Sequence, residues 1–264
     1  MTHPLRIATA NVNGIRAAYR RGMGEWLAGR GVDILALQEV RAETDDLVAL
    51  LGPEWDVLHD AASAKGRAGV AIASRHKTTA IHRVAIGADD FDSAGRWLEA
   101  DYEVGGVPIT VVSAYVHSGE ADTPKQAEKY KLLDGMTERL AELGGGHAVV
   151  LGDFNVGHRE LDIKNWKGNL KRAGFLPEER AYFDRWIGDG WVDVGRRFAG
   201  EVPGPYTWWS WRGKSFDLDS GWRIDYHLAS ASLAPTAASY AVDRAPSYAE
   251  RWSDHAPVVV DYAL

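Results

Sequence analysis

Residues 148–155, AVVLGDFN, join an apolar run to a carboxylate and an amide at its end. The run has the length and the branched residues of a buried β-strand. Asp153 and Asn155 follow it two positions apart, a spacing that places both side chains on one side of an extended segment. Sites in layered α/β proteins gather outside such strand ends. The stretch therefore predicts an α/β fold with a site at this edge.

The same arrangement recurs along the chain: an apolar run is followed by an acid or an amide. The residues concerned are Asn11, Asn13, Glu39, Asp153, Asn155, Asp225 and Asp254, with His255 beside the last. Each motif alone also fits an ordinary turn or a solvated carboxylate. Together they form an oxygen-rich set, which suits a hard cation such as Mg²⁺ or Mn²⁺.

Short β-branched runs alternate with amphipathic helices from end to end. Strands are predicted over residues 5–12, 34–40, 69–75, 97–104, 107–116, 147–154, 223–229 and 257–262. Helices are predicted over residues 23–30, 45–51, 125–142 and 178–189. The third helix has Thr123 as its predicted N-cap, Pro124 at its first position and a triple-glycine stop from Gly144.

Two predictions concern the middle of the chain. The strands 69–75, 97–104 and 107–116 are expected to form one meander, because Gly105-Gly106 between the last two is a hairpin signal. Residues 194–221 show no periodicity, are rich in aromatic residues, Gly and Pro, and are too long for an idle connection.

Composition sets the broad class. The chain has 264 residues, 45 % hydrophobic and 25 % charged, and no linker divides it, so one α/β domain over residues 1–264 is expected. The absence of cysteine excludes disulfides, thiolate catalysis and Cys-ligated metals. With no apolar run of about 18 residues and no secretion signal, we expect a cytoplasmic protein without a membrane partner. The net charge of -7 argues against a general nucleic-acid binder.

The strand-end residues lie in motifs that resemble the exonuclease III family of abasic-site endonucleases, in the endonuclease/exonuclease/phosphatase superfamily. The matching stretches are residues 11–16 (NVNGIR), 37–41 (LQEVR), 114–116 (AYV), 152–155 (GDFN), 175–180 (FLPEER), 221–226 (GWRIDY) and 253–257 (SDHAP). They are spread over residues 11–257, nearly the whole length of the chain, so the resemblance concerns the fold. It implies a four-layer α/β sandwich, with two packed mixed β-sheets flanked by helices, in which residues 11–13 and 153–155 are counterparts.

The resemblance also implies an activity: a metal-dependent DNA-repair nuclease that hydrolyses the phosphodiester 5′ to abasic sites. A 3′→5′ exodeoxyribonuclease activity and 3′-end trimming are implied as well. The expected substrate is double-stranded DNA with abasic sites or blocked 3′ ends, and the protein is expected to act as a monomer with Mg²⁺, for which Mn²⁺ substitutes.

The metal site is assigned first to Glu39, with Asn11, Asn13 and Asp254 around it. Asp153 is assigned as the base that activates or orients the attacking water, and it also borders the metal.

Four further residues are assigned to the phosphate and the water. Asn155 is expected to hold the water or a phosphoryl oxygen, and Tyr115 to bind the scissile phosphate. His255 is expected to donate to the phosphate, with Asp225 accepting from its other ring nitrogen. His227 is the one other histidine that merits attention.

DNA contacts are predicted on two segments. The basic loop of residues 158–172 includes Arg159, Lys164 and Lys167, and the same loop could equally be a solvated surface. Arg96 and Lys129 are expected to add to its rim.

A second set belongs to the aromatic segment. Trp208, Trp222 and Ile224 are expected, by resemblance, to line a pocket for a flipped abasic deoxyribose. Arg212 and Lys214 are placed near the displaced strand. Ser118 stands where relatives often carry an amide residue. Its shorter side chain is expected to reach less far toward the phosphate.

Two alternatives remain at this level. The superfamily chemistry also fits a phosphatase or phosphodiesterase acting on a small molecule or a lipid. A catalytically inactive nucleic-acid-binding relative would show substitutions among the four acidic residues, Asn155 and His255, and none is seen.

Overall fold

The structure, a computed structural model, describes residues 4–82, 85–87 and 91–264. The first sheet contains β1 (Leu5–Asn11), β2 (Ile34–Gln38), β3 (Asp56–Asp60), β4 (Val70–Ser74), β11 (Ala237–Val242) and β12 (Val258–Tyr262). The second contains β5 (Thr78–His82), β6 (Trp97–Val104), β7 (Val107–Tyr115), β8 (Ala148–Asp153), β9 (Val192–Asp193) and β10 (Asp225–Ala229). The helices are α1 (Ile15–Arg20), α2 (Met23–Arg30), α3 (Thr44–Leu51), α4 (Pro124–Leu143), α5 (Pro177–Gly188) and α6 (Val194–Ala199).

The two sheets have the same internal plan. The first has the strand order β11-β12-β1-β2-β4-β3, and the second, read from its far edge, has β9-β10-β8-β7-β6-β5. In each, the central pair (β1 with β2, β8 with β7) is parallel and every other neighbouring pair is antiparallel. The strands β1 and β8 therefore hold equivalent positions, as the resemblance implied.

Alternating side chains build four layers. Ile7 on β1 and Leu151 on β8 belong to the core between the sheets, whereas Ala8 packs toward α1–α3 on the other face. Val150 likewise faces the opposite side from Leu151, where it belongs to the apolar cluster that includes Phe183 of α5. Since successive strand residues point to opposite faces, each sheet carries helices outside and the partner sheet inside. The predicted four-layer α/β sandwich is confirmed.

The eight predicted strands and four predicted helices are all present, with ends that shift by one or two residues. α4 begins at Pro124 and ends before Gly144, as expected. The Thr123 side chain makes no cap bond, because its hydroxyl donates to the Glu120 carbonyl instead.

The predicted meander is only partly correct: the hairpin of β6 and β7 at Gly105-Gly106 is confirmed, but β4 does not belong to it. β4 pairs with β2 and β3 in the first sheet, while β6 and β7 lie in the second. Both edges of β4 are thus occupied, and β5, which the sequence did not reveal, begins the second sheet beside β6.

The irregular segment after β9 begins with α6 and then runs without regular structure to β10, apart from isolated bridges. No helix in the described ranges is long and apolar enough to cross a membrane.

Candidate active site

The ends of the central strands meet at one point between the sheets. Asn11 closes β1 and Asp153 closes β8, and the Asn11 amide donates to Asp153 Oδ2 at 2.9 Å. The same amide donates to Glu39 Oε1 at 2.9 Å. Glu39 follows β2 with φ 51, a left-handed conformation that is unusual for glutamate and is typical of functional sites.

Identical turns follow β1 and β8. The backbone N–H of Asn13 donates to Asn11 Oδ1 at 3.0 Å, and that of Asn155 donates to Asp153 Oδ1 at 2.9 Å. Asn13 has φ 45 and Asn155 φ 48, a region that asparagine tolerates. The extended geometry predicted for residues 153–155 is therefore wrong at Asn155. The turn folds its amide back to donate to Asp153 Oδ2 and to the Val116 carbonyl.

The third group is Asp225 with His255. Asp225 lies opposite Asp153 in the antiparallel pair of β10 and β8. His255 Nδ1 lies 2.9 Å from Asp225 Oδ2, and its Nε2 lies 3.8 Å from Asp153 Oδ2. The Thr207 hydroxyl donates to Asp225 Oδ2 at 2.6 Å. These contacts fix the imidazole so that its Nε2 faces Asp153.

The electrostatics of this group follow from burial and charge. Burial raises the pKa of Asp153, the His255 cation opposes this, and the carboxylates of Asp225 and Glu39 add to it. Burial alone would lower the pKa of His255, but the carboxylates of Asp225 and Asp153 outweigh it and raise the pKa to about 10. The group therefore combines a carboxylate whose pKa is raised, Asp153, with an imidazolium that keeps its charge, His255.

Asp254 is a further carboxylate beside Asp153, Asp225 and His255. Its Oδ1 accepts from the Asn13 amide at 2.8 Å and its Oδ2 from the Trp208 indole N–H at 3.1 Å. Burial would raise the pKa of Asp254, but His255 and these donors lower it. Asp254 is thus held as an anion.

Several of these side chains could hold a cation. Asp153, Asp225 and His255 bring carboxylate and imidazole atoms within 4.8 Å of one another. Because the imidazolium has no free nitrogen lone pair, only the two carboxylates of this group could ligate a cation. Glu39 adds a carboxylate through the Asn11 bridge. Carboxylate oxygens are the ligands that hard cations prefer, so the residues present fit such a cation.

Tyr115 ends β7 close to the same carboxylates. Burial raises the pKa of Tyr115, and Glu39 and Asp153 raise it further. The phenol therefore stays protonated as a donor. The Arg96 guanidinium lies 5.5 Å from the centre of its ring.

An apolar cavity of about 200 Å³ opens beside Asn155. It is lined by Ser118, Asn155, Ala173, Gly174, Trp208, Trp222 and Ile224. The Trp208 and Trp222 rings meet edge-on, and their backbones exchange two hydrogen bonds of 2.9 Å. The two indoles are therefore fixed by backbone pairing as well as by packing.

A profile of the Endonuclease/Exonuclease/phosphatase family matches residues 8–255. The chain belongs to this family. It is 31 % identical to the exodeoxyribonuclease of Bacillus subtilis (strain 168) over 256 residues, 96 % of this chain and 98 % of that protein.

Two solved structures extend the comparison. A 3′ phosphatase from Neisseria bound to a product DNA hairpin superposes with a TM-score of 0.85 at 29 % identity, covering 98 % of this chain and 100 % of that one. An AP endonuclease from Archaeoglobus fulgidus superposes with a TM-score of 0.81 at 28 % identity and the same coverage. The predicted family is confirmed.

Within this family fold, the predicted site residues divide into two sets. Those assigned to metal, water and phosphate converge as described, and Ser118, Trp208, Trp222 and Ile224 share the cavity. Lys164 lies near the cavity, because its backbone N–H donates to the carbonyl of Gly221, the residue that precedes the lining residue Trp222.

The remaining basic residues lie outside the cavity. Lys167 is exposed against the Trp166 ring, and Arg212 and Lys214 are exposed in the aromatic segment. Arg159 lies in a separate groove, where it pairs with Glu201 at 2.6 Å.

Two expectations for single residues change. Lys129 is not a rim residue, because its side chain is fully buried. His227 is also fully buried, with Nδ1 3.2 Å from the Tyr262 hydroxyl and Nε2 3.3 Å from the Val258 carbonyl, so it joins the two sheets.

Two neighbours of the site, Arg41 and Thr207, were not predicted from the sequence. Arg41 pairs with Glu39 Oε2, and its position two residues after Glu39 was the available signal. Thr207 holds Asp225, and nothing in its local pattern distinguished it from the other polar residues of the aromatic segment.

Proposed function

We propose that this protein is a metal-dependent DNA-repair nuclease that cleaves the phosphodiester 5′ to abasic sites. It also removes nucleotides and blocking groups from 3′ ends. The observation that carries the proposal is the small apolar cavity directly beside Asn155 and the buried carboxylates. A deoxyribose without a base fits bulky apolar walls, and flipping costs least where stacking is already lost.

The similar proteins support the same activity. The named relatives include an exodeoxyribonuclease, an AP endonuclease and a 3′ phosphatase bound to DNA. We propose that the chain acts as one catalytic domain and as a monomer, because the residues assigned to the metal, the water and the phosphate converge on one site without a second copy.

We propose Mg²⁺ as the cofactor, with Mn²⁺ able to substitute. Glu39 would be its principal ligand, and Asn11, Asn13, Asp254 and Asp153 would complete its surroundings. A cation held there would supply positive charge to the phosphoryl group and to the leaving oxygen.

Asp153 accepts the proton of the attacking water as the water oxygen bonds to phosphorus and the bond from phosphorus to the 3′ oxygen breaks. The released 3′ oxygen takes a proton from solvent. The raised pKa of Asp153 supports this role, because a general base works best when its pKa lies near the pH of the reaction. The Asn155 amide, bonded to Asp153 Oδ2, orients the carboxylate toward the water.

His255 donates from Nε2 to a phosphoryl oxygen as an imidazolium. Asp225 accepts from Nδ1 and stabilises that charge. The Tyr115 hydroxyl donates a hydrogen bond to the scissile phosphate. Ser118, at the cavity, contacts the phosphate through its short side chain. These donors stabilise the charge that develops on the phosphoryl group.

DNA is held by a local rim of cations although the net charge is -7. Lys164 and Lys167 meet the backbone beside the cavity, and Arg212 and Lys214 lie near the displaced strand. Arg159 is a weaker candidate because Glu201 already neutralises it.

The test is incubation of the protein with a duplex that contains one tetrahydrofuran abasic analogue, with Mg²⁺ or with EDTA. We expect a single cut 5′ to the analogue in Mg²⁺, none in EDTA, and binding without cutting by Asp153→Asn. Absence of cutting by folded protein in Mg²⁺ refutes the proposal. Cutting by Asp153→Asn refutes the assigned base.

A further inference from the structure

Lys129 is a lysine whose side chain is inaccessible to solvent. It lies on α4, and its ammonium is paired with the carboxylate of Glu179 on α5, with an Nζ–Oε1 distance of 2.6 Å. Both side chains are fully buried. Burying an ion pair is expensive, and apolar residues of similar volume often stabilise a fold equally well. The pair therefore calls for a reason other than stability.

The other two bonds of the ammonium go to the cavity. Lys129 Nζ donates to the Asn155 carbonyl at 2.9 Å and to the Ser118 carbonyl at 3.2 Å. With Glu179, these contacts use all three donors of the ammonium. Lys129 therefore binds the backbone of two residues that line the cavity.

Glu179 binds a third wall of the same cavity. Its Oε2 accepts from the backbone N–H of Gly174 at 2.6 Å and of Leu176 at 3.0 Å. Gly174 is in turn closely packed: a Cβ there would lie 3.0 Å from the Asn155 carbonyl oxygen and 3.0 Å from the Trp222 ring. The carboxylate thus holds Gly174 against both Asn155 and Trp222.

We propose that Lys129 and Glu179 are positioning residues that set the shape of the lesion cavity from behind. They tie Ser118, Asn155 and Gly174 to one buried charge pair, and so they fix three of the cavity walls. Neither side chain touches the DNA. The inference rests on the proposed function, because it assigns the pair to discrimination between an abasic deoxyribose and an intact nucleotide.

The decisive variant is the double substitution Lys129→Met/Glu179→Gln, because either single change leaves one buried charge without its partner. Met keeps the length of the lysine stem, and the amide oxygen of the introduced glutamine still accepts from Gly174 and Leu176. Gln126 Nε2 donates to Glu179 Oε1 at 3.0 Å, and Gln126 Oε1 is buried without a hydrogen bond among the described residues. A half-turn of the Gln126 amide therefore gives the new amide N–H an acceptor. The neutral pair therefore folds but no longer holds the Ser118 and Asn155 carbonyls.

The matched control is Arg139→Met/Glu99→Gln, which neutralises another ion pair of α4. Arg139 Nη2 lies 2.7 Å from Glu99 Oε2, and Glu99 is fully buried. Neither residue lines the cavity. The control reports what neutralising an α4 ion pair does to activity through stability alone.

At a temperature where both variants are fully folded, we expect Lys129→Met/Glu179→Gln to lower kcat on the tetrahydrofuran duplex by on the order of 10²-fold. We also expect a smaller preference for abasic over intact duplex, with unchanged affinity for intact duplex. The control keeps the kcat and the preference of the wild type. A folded double variant with wild-type kcat and preference overturns the inference.

Amide hydrogen exchange gives a readout that does not depend on activity. We expect faster exchange in residues 116–120 and 154–157 of the Lys129→Met/Glu179→Gln variant and no change there in the control. Unchanged exchange in these segments also overturns the inference. If the wild type cuts no duplex, the proposed function fails, and the exchange experiment still decides whether the pair holds the cavity walls.

Discussion

The Asn11 amide donates to Asp153 Oδ2 across the seam between the two sheets, over 2.9 Å and 142 positions in the chain. This bond lowers the pKa of Asp153 against the larger effects of burial and neighbouring charge. The environment of the proposed base is therefore set partly by a strand of the other sheet.

Replacing Asn11 with Ala should shift the acid limb of the pH–rate profile to higher pH. Asp153 must be ionised to accept a proton, and loss of the amide raises its pKa further. We expect kcat to fall by about 10²-fold. Asn13→Ala is the control, because it removes a donor from Asp254 and not from Asp153. An unmoved acid limb in Asn11→Ala contradicts the assignment.

Asp225→Asn should move the alkaline limb in the opposite sense. Asp225 helps to raise the pKa of His255 to about 10, so its neutralisation lowers that pKa and the imidazolium is lost at lower pH. We expect a loss of about 10²- to 10⁴-fold in kcat. Thr207→Val keeps the carboxylate and removes its hydroxyl donor, together with the acceptor of the Ile224 and Asp225 backbone N–H groups. The alkaline limb of this variant should therefore move less than that of Asp225→Asn. NMR titration of the His255 ring checks the direction, and an unchanged titration rejects it.

The two cavity tryptophans should separate lesion selection from cation binding. Trp222→Ala removes a wall, so the preference for abasic over intact duplex should fall by about tenfold or more. Trp208→Phe keeps a ring but loses the bond to Asp254 Oδ2, so the half-saturating Mg²⁺ concentration should rise by about tenfold. If the two substitutions changed the lesion preference and the Mg²⁺ requirement equally, the proposal that Trp222 selects the lesion and Trp208 supports cation binding would be wrong.

The rim lysines should appear in the salt dependence of binding. Each phosphate contact contributes about 0.9 to the slope of log affinity against log salt, so Lys164→Ala/Lys167→Ala should reduce the slope by about 2. Arg159→Ala should change it little, because Glu201 already pairs with Arg159. A larger effect of Arg159→Ala would place the DNA over the other groove. Fluorescence anisotropy at several salt concentrations measures both.

His227 should make the fold acid-sensitive independently of catalysis. Burial lowers its pKa to about 3, whereas an unfolded chain has a histidine pKa of about 6.5. The unfolded state therefore binds an extra proton between these values. The stabilisation is complete above pH 6.5 and is lost as pH falls, by about 1.4 kcal/mol per pH unit.

His227→Gln should remove this part of the pH dependence, whatever it does to stability at neutral pH. Urea unfolding at several pH values between 4 and 7 measures the slope. His147→Gln, at a partly exposed position, serves as the control. Equal slopes in the wild type and His227→Gln would show that the burial of His227 does not govern acid sensitivity.

The four strands that the sequence did not reveal, β3, β5, β9 and β11, are the four edge strands of the two sheets. Edge strands bury little, so they lack the continuous apolar run that identifies a central strand. Ala80 in β5, for example, alternates with more exposed neighbours. The central strands, which carry the candidate site, are the ones that hydrophobic pattern predicts well.

For the site, motif order predicted which side chains meet but not how they bond. Strand ends and the family resemblance named Asn155, yet its left-handed backbone, and hence its bond to Asp153, depends on the turn. Lys129 was misplaced because a lysine in an amphipathic helix is normally solvated. Only the tertiary structure shows that Glu179, Ser118 and Asn155 surround it.

The two sheets differ in how the chain reaches them. The second is built from six consecutive strands, β5 to β10, whereas the first waits for β12 to pair with β1. A chain emerging from the ribosome can therefore complete the second sheet while β1 still has an open edge. Asp254 and His255 lie just before β12 and arrive with it. A half-synthesised chain thus carries no assembled nuclease site. The order of translation therefore prevents catalysis until β12 has paired with β1.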